Sequence, residues 1–131
     1  MTHYHAVVWL DHAEARVFSF NPTDINEAHF QSHPPHRQVH HKSGTIGSGK
    51  SGEDKEFFHG TATALDGAGE VLIVGPGNAK LHFMRYLHLH DRALEAKLVG
   101  IETVDHPTDH QIVAYARQYF RAADRMRPQH A

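Results

Sequence analysis

The chain contains no cysteine, which excludes disulfide bonds, thiolate metal sites and a cysteine nucleophile. Its apolar runs extend over only a few residues, which is too short for a helix that spans a membrane. The N-terminus, Met-Thr-His-Tyr-His, lacks the basic and then apolar pattern of a signal peptide. The chain also lacks an excess of either charge, because 13 Lys and Arg stand against 15 Asp and Glu. We therefore expect a cytoplasmic protein that makes no membrane contact and is not a polycation as a whole.

Histidine is the residue in excess, at 15 of 131 positions. His3 and His5 share one face of a strand, and His106 and His110 are four residues apart. Imidazole pairs at such spacings can bind zinc or nickel, which would make the chain a histidine-rich metal-binding module. With so many histidines, pairs at these spacings also arise by chance, so surface or core filling is the alternative.

A chain of 131 residues with 40% apolar content indicates a single domain over residues 1–131 with one core. Three strands joined by tight connections predict an antiparallel meander, and the polar third strand predicts a sheet edge. The remaining segments alternate between helical and strand patterns. The predicted strands are 3–10, 15–20, 25–33, 70–74 and 99–104, and the predicted helices are 53–65, 78–98 with a bend near residue 90, and 108–125. The expected fold is α/β and ribonuclease-H-like, with a mixed five-stranded sheet of three antiparallel strands and then two parallel ones, and helices on both faces.

The segment from residue 71 to residue 87 is the most informative part of the chain. Val71 to Val74 form an apolar run typical of a strand buried on both faces, and Gly75-Pro76-Gly77 ends it. Asn78 is a candidate N-cap, after which Leu81, Met84 and Leu87 recur at helical spacing. This pattern predicts half of a parallel βαβ unit, with a helix N-terminus at the carboxyl end of a strand.

Residues 34–52 are predicted to form one long, basic, glycine-rich loop with two prolines and four glycines. Loops of this length in compact domains are usually functional or mobile, and a local basic patch suits contact with an RNA backbone. The candidate residues for contact with RNA or the ribosome are Arg37, Gln38, His40, His41, Lys42, Lys50 and, on the later helix, Lys80.

The same loop matches a nucleotide-binding pattern. Residues 44–51 satisfy G-x-x-x-x-G-K-[ST], in which backbone amides hold phosphates. A true loop of this type follows a buried strand, whereas residues 38–43 are mostly polar. A phosphate- or nucleotide-binding enzyme that uses Gly49, Lys50 and Ser51, with Gly77 as a further phosphate contact, stays an alternative.

Other catalytic arrangements are not apparent. A nuclease needs several carboxylates that converge on metal ions, and neither the first strand nor the apolar run 71–74 carries one. No Gly-x-Ser-x-Gly sequence, which a serine hydrolase elbow needs, is present. We therefore assign no catalytic residue, expect no cofactor and favour a protein that is not an enzyme.

Two stretches and the element order resemble a known family. Residues 7–17 and 75–83 resemble the strand-turn-strand and the Gly-Pro-Gly helix start in the central domain of the eukaryotic and archaeal peptide-chain release factor and of Pelota. The chain is also similar to the small bacterial proteins called "translational machinery protein". The resemblance implies binding to the ribosome or tRNA, and a protein partner that supplies the missing factor domains. No Gly-Gly-Gln occurs and Gln38 lacks flanking glycines, so the resemblance does not extend to peptide release.

Overall fold

The computed structural model describes residues 4–32 and 46–126, and side chains within 4–32 and 55–122. Five strands and four helices lie in these ranges. They are β1 (His5–Leu10), β2 (Glu14–Phe20), β3 (Ile25–Gln31), α1 (Ile46–Leu65), β4 (Glu70–Gly75), α2 (Ala79–His90), α3 (Arg92–Glu95), β5 (Leu98–Thr103) and α4 (Asp109–Met126). In this part of the chain, no helix has both the length and the apolar character that a membrane span requires.

The strands form one mixed sheet in the order β3-β2-β1-β4-β5. β2 is antiparallel to β1 and to β3, whereas β4 is parallel to both β1 and β5. The predicted ribonuclease-H-like α/β fold is confirmed, including the three antiparallel and then two parallel strands. The position of the polar strand β3 at an edge is also confirmed.

Alternate residues of the central strands point to two separate cores, one on each face of the sheet. Ala6, Val8 and Leu10 of β1 pack with α1, α2 and α3. Val7 and Trp9 point to the opposite face, where they pack with α4. Because β1 and β4 are buried on both faces, their sequences are continuously apolar instead of alternating. The expectation of helices on both faces is therefore confirmed.

The strands β1, β3, β4 and β5 all run in the same direction, so their C-terminal ends meet at one side of the sheet. We call this side the carboxyl edge. The chain leaves β3 at the carboxyl edge, α2 begins there, and α1 returns the chain from there to the start of β4. Ligands of α/β proteins bind preferentially at this side of a sheet.

The predicted loop 34–52 is wrong in its second part, because α1 begins at Ile46 and not at residue 53. Glycine costs about 1 kcal/mol in a helix interior but does not forbid one, and residues 46–65 contain no proline. Extension of a helix that is already held by its buried side needs no new nucleation. Residues 33–45 lie outside the described part of the chain.

The details of the helix ends differ in part from expectation. Asn78 is the N-cap residue of α2, as predicted, but its backbone is helical and its side chain makes no capping hydrogen bond. The expected bend near residue 90 is confirmed, since α2 ends at His90 and Asp91 caps α3 by accepting from the Leu94 N–H. Gly67 follows the end of α1 with φ of 110°, a left-handed backbone conformation that favours glycine.

Candidate functional site

The turn between β1 and β2 anchors the chain where it leaves β3 at the carboxyl edge. Asp11 Oδ1 accepts hydrogen bonds from the backbone N–H groups of Ala13 and Glu14, at 2.8 and 2.9 Å. Ser32 donates its backbone N–H to the Ala13 carbonyl at 2.9 Å and its hydroxyl to the His12 carbonyl at 3.0 Å. The segment that follows Ser32, which carries Arg37 and Lys42 in the sequence, therefore starts beside His12.

The two glycines between β4 and α2 have different roles. A Cβ on Gly75 would lie 2.2 Å from the Leu10 carbonyl oxygen, so the close approach of β4 to the end of β1 requires glycine there. A Cβ on Gly77 would meet nothing within 4 Å, and Gly77 is exposed. Gly75 is thus explained by packing, whereas Gly77 is open to solvent at the start of α2.

Lys80 lies inside the protein instead of on its surface. The side chain is only 7% exposed, and Nζ donates to the Gly77 carbonyl at 2.5 Å. The exposed location expected for Lys80 is therefore wrong. The first turn of α2 buries Ala79 and Lys80 against the sheet, while Leu81, which the sequence indicated as a buried position, is 48% exposed.

The solvent-exposed side of α2 is basic and free of acidic residues. No Asp or Glu occurs between Gly75 and Asp91 in the sequence. His82 and Arg85 are exposed, and the His82 ring lies 5.8 Å from the ring of exposed His12. We call the surface formed by His12, His82 and Arg85 the α2 basic face. A groove of about 660 Å³ adjoins it and is lined by Asn78, Leu81, His82, Met84, Arg85, His88, Leu89 and Glu95.

The helix α1 packs against α2 and carries an exposed cation. Phe58 of α1 packs against Phe83 and Tyr86 of α2, with ring centroids 5.4 and 5.7 Å apart. Lys55, one turn before Phe58, is exposed. Burial raises the pKa of the Tyr86 phenol, and the Asp91 charge acts in the same direction. The Tyr86 side chain therefore stays neutral and packs between the two helices.

The opposite side of the carboxyl edge is acidic. The indole N–H of buried Trp9 donates to the Asp105 carbonyl at 2.8 Å, and the Arg16 guanidinium lies 4.4 Å from the Trp9 ring centre. His106 Nδ1 is 3.1 Å from Asp105 Oδ1, and its Nε2 is 3.7 Å from Asp11 Oδ2. A cavity of about 520 Å³ opens here, lined by Val74, Val104, Asp105, His106, Pro107, Gln111, Ile112 and Tyr115.

The predicted RNA-contact residues of the basic segment fall largely outside the described residues. This applies to Arg37, Gln38, His40, His41 and Lys42. Lys50 belongs to α1, but the described side chains of that helix begin at Lys55. The prediction that these residues contact RNA stays a prediction.

The alternative phosphate site has little support from the described elements. Gly49, Lys50 and Ser51 lie within α1, which already begins at Ile46. A phosphate-binding loop of the matched type needs a buried strand directly before it. The described strand that precedes α1 is β3, which is an exposed edge strand and ends at Gln31.

The predicted metal-binding histidines do not form a cluster in the part of the chain that the structure describes. His3 lies outside it. His5 packs against the Phe120 ring at 4.3 Å, and its Nε2 is 3.3 Å from Glu70 Oε1. His106 precedes α4 and contacts Asp11 and Asp105, whereas His110 is exposed on α4.

A different group of described residues could hold a metal ion, and the sequence analysis does not predict this group. It consists of Glu27, His29 and Asp109, whose ligand atoms lie within 4.8 Å of one another. Alternation along β3 places Glu27 and His29 on one face, which is a signal the sequence does carry. Asp109 is 80 positions further along, and only the packing of α4 against the sheet brings it close.

Comparison with known proteins identifies this fold. No protein-family model and no curated protein matches the chain. Pelota from Archaeoglobus fulgidus matches 95% of the chain at 13% identity, with a TM-score of 0.61 and 36% of Pelota covered. The archaeal translation termination factor aRF1 matches 93% at 16% identity, with a TM-score of 0.58 and 38% covered. Dom34 from Saccharomyces cerevisiae, a translation termination-like factor, matches 91% at 11% identity, with a TM-score of 0.57 and 33% covered.

These matches extend over nearly the whole chain but only about a third of each matched protein. At such low identities they are likenesses of fold. Membership of the bacterial translational machinery protein family stays a prediction. The resemblance indicated by residues 7–17 and 75–83 is confirmed at this level: the chain has the fold of a domain found in Pelota, aRF1 and Dom34.

Proposed function

We propose that this protein acts in translation and binds the ribosome or tRNA through the α2 basic face and the neighbouring segment 33–45. The observation that carries the proposal is the fold likeness over 93% and 91% of the chain to aRF1 and Dom34, which are described as a translation termination factor and a translation termination-like factor. Dom34 is also described as involved in RNA quality control pathways and as interacting with Hbs1.

The charge distribution at the carboxyl edge supports contact with a nucleic-acid backbone. Phosphate contacts need cationic or N–H donors on a surface without competing carboxylates. The α2 helix contains no acid, and Glu95, which lines the adjoining groove, is paired with His88 at 3.0 Å. Ser32, the last described residue before the segment with Arg37 and Lys42, donates its hydroxyl to the His12 carbonyl, so this segment follows a residue beside the α2 basic face.

The proposal is binding without peptide release. The chain has no Gly-Gly-Gln sequence. Two carboxylates that could otherwise activate water are engaged in the fold. Asp11 caps its own turn, and Asp109 pairs with the Arg16 guanidinium at 2.8 Å. The chain corresponds to about a third of the length of the matched factors. By likeness to Dom34, which is described as interacting with Hbs1, the proposal includes a protein partner.

Co-sedimentation with purified ribosomes over a salt series tests this function. We compare the wild type with two variants, Arg37→Ala/Lys42→Ala/Lys50→Ala and His82→Ala/Arg85→Ala. A matched control, His110→Ala/Arg121→Ala, removes one exposed His and one exposed Arg from α4 on the other face of the sheet. Vacant, translating and stalled ribosomes, and tRNA alone, are tested separately.

We expect saturable binding that weakens with salt. The slope of the logarithm of the binding constant against the logarithm of salt concentration should become shallower by roughly 0.7–0.9 for each phosphate contact removed. Both surface variants bind more weakly and the control binds as the wild type does. The proposal is wrong if no ribosomal state and no tRNA binds. Equal loss in the control variant would mean that binding reflects nonspecific charge.

A further inference from the structure

The junction between the edge strand β3 and the start of α4 carries the cluster of Glu27, His29 and Asp109. We propose that this cluster is a binding site for a borderline divalent cation of the Zn²⁺, Ni²⁺ or Co²⁺ class. The proposal does not depend on ribosome binding, because the cluster lies on the α4 face and the α2 basic face lies on the other.

The sheet register explains why the ligands meet. Glu27 is opposite Phe18, and His29 is opposite Arg16. Phe18 points into the core beneath α4, so Glu27 and His29 are on the α4 side of the sheet as well. Asp109 is the first residue of α4. One carboxylate and one imidazole from the strand therefore converge with one carboxylate from the helix.

The separations suit a shared cation better than direct hydrogen bonds. His29 Nε2 is 3.6 Å from Glu27 Oε1 and 3.9 Å from Asp109 Oδ2. Hydrogen bonds are shorter than this. Ligand atoms about 2.1 Å from a tetrahedral zinc ion are separated by about 3.4 Å. Rotamer changes supply the small remaining movement, since the Glu27 and His29 side chains are 55% and 51% exposed.

The charge balance also suits a divalent cation. Arg16 Nη1 donates to Asp109 Oδ1 at 2.8 Å, which leaves Oδ2 on the side of His29. Arg16 Nη2 is 3.7 Å from Glu14. The charges that are counted here are the carboxylates of Glu14, Glu27 and Asp109 and the guanidinium of Arg16. They sum to two net negative charges when His29 is neutral. Arg117 and Arg121 line the cavity beside Glu27 and Asp109 and lower this negative charge. The Arg117 guanidinium itself contacts the Asn21 carbonyl at 2.9 Å and the Phe20 ring.

The ligand set determines the class of metal. Imidazole suits Zn²⁺, Ni²⁺ and Co²⁺, whereas Mg²⁺ and Ca²⁺ prefer oxygen ligands alone. Three protein ligands leave at least one coordination position for water. A bound cation would join β3 to α4 and would therefore strengthen an otherwise exposed sheet edge.

A site-resolved probe is needed because the chain has 15 histidines. We would titrate ¹⁵N-labelled full-length protein with substoichiometric Co²⁺ and record paramagnetic broadening of the backbone amides by NMR, then add Zn²⁺ as a diamagnetic competitor. The variants are His29→Gln and, to remove a second ligand, Glu27→Gln. The matched control is His88→Gln, because His88 is similarly exposed and pairs with the single carboxylate of Glu95 at 3.0 Å.

We expect the amides of β3 and of the first turn of α4 to broaden first and to recover when Zn²⁺ is added. His29→Gln or Glu27→Gln lowers the apparent Co²⁺ affinity by about tenfold or more, and the control leaves it unchanged. Broadening that begins elsewhere, or that is unaffected by both ligand variants, would mean adventitious binding to surface histidines and would overturn the proposal. Normal ribosome binding by His29→Gln would show that the two proposals stand separately.

Discussion

Replacement of Lys80 by methionine tests whether this lysine stabilises the fold or binds RNA. The sequence pattern predicts that Lys80 contributes to an exposed basic patch, whereas the structure buries it to 7% exposure with Nζ 2.5 Å from the Gly77 carbonyl oxygen. Methionine retains the buried aliphatic chain but cannot donate that hydrogen bond. We therefore expect a loss of stability and no loss of RNA or ribosome binding.

The magnitude follows from the environment of the ammonium group. A hydrogen bond from a charged donor contributes about 1.5–3 kcal/mol, and relief of the desolvation of the ammonium offsets part of this. The expected decrease in the free energy of unfolding is about 1–2 kcal/mol, which lowers Tm by about 4–8 °C in a domain of this size. Urea and thermal unfolding followed by circular dichroism measure the change.

Arg85→Met is the matched control for Lys80→Met. Arg85 lies on the exposed side of the same helix, so its replacement changes stability by no more than about 0.5 kcal/mol. In ribosome co-sedimentation, Arg85→Met weakens binding and Lys80→Met does not. The reverse result, with a stable Lys80→Met variant that no longer binds, would refute the structural role of Lys80.

Further predictions concern the β4–α2 turn and the packing of α2. Gly75→Ala is expected to destabilise the protein by about 2 kcal/mol or more, because the new Cβ would lie 2.2 Å from the Leu10 carbonyl oxygen. Gly77→Ala, with open space at that position, leaves stability unchanged or raises it by up to about 1 kcal/mol in the same urea titrations. Equal changes in the free energy of unfolding for Gly75→Ala and Gly77→Ala would contradict this account of the turn. Because burial and Asp91 raise the pKa of Tyr86 above 10.0, its neutral form stabilises the folded state below about pH 10 and this contribution is lost at higher pH. Tyr86→Phe should therefore reduce the fall in unfolding free energy between pH 9 and 11, and an unchanged pH profile would count against it.

Much of the fold was predictable because its signals are local. Continuous apolar runs in β1 and β4 indicated central strands, and the polar pattern of residues 25–33 indicated an edge. The break at Gly75-Pro76-Gly77 separated a strand from a helix. Each of these patterns depends on a residue and its neighbours in sequence, so the element order and the mixed sheet could be predicted.

The errors concern properties that depend on contacts between elements. The start of α1 was misplaced because its glycine content indicates a loop, whereas a helix held by Phe57, Phe58 and Thr61 extends back to Ile46. Lys80 and Leu81 exchanged their expected environments, since residue type alone does not determine how a helix rotates against a sheet. The hydrogen bond from Lys80 to Gly77 offsets the cost of burying its ammonium.

The sequence by itself determined the lack of cysteine chemistry, the order of the strands and helices, and the resemblance at residues 7–17 and 75–83. The first two follow from composition and local periodicity, whereas the resemblance rests on the particular residues of those two stretches. The tertiary structure decided the identity of the surfaces: an α2 basic face without Lys80, and a cluster that joins Glu27 and His29 to Asp109. The physical reason is that surfaces and sites depend on which side chains long-range packing buries and which it brings together.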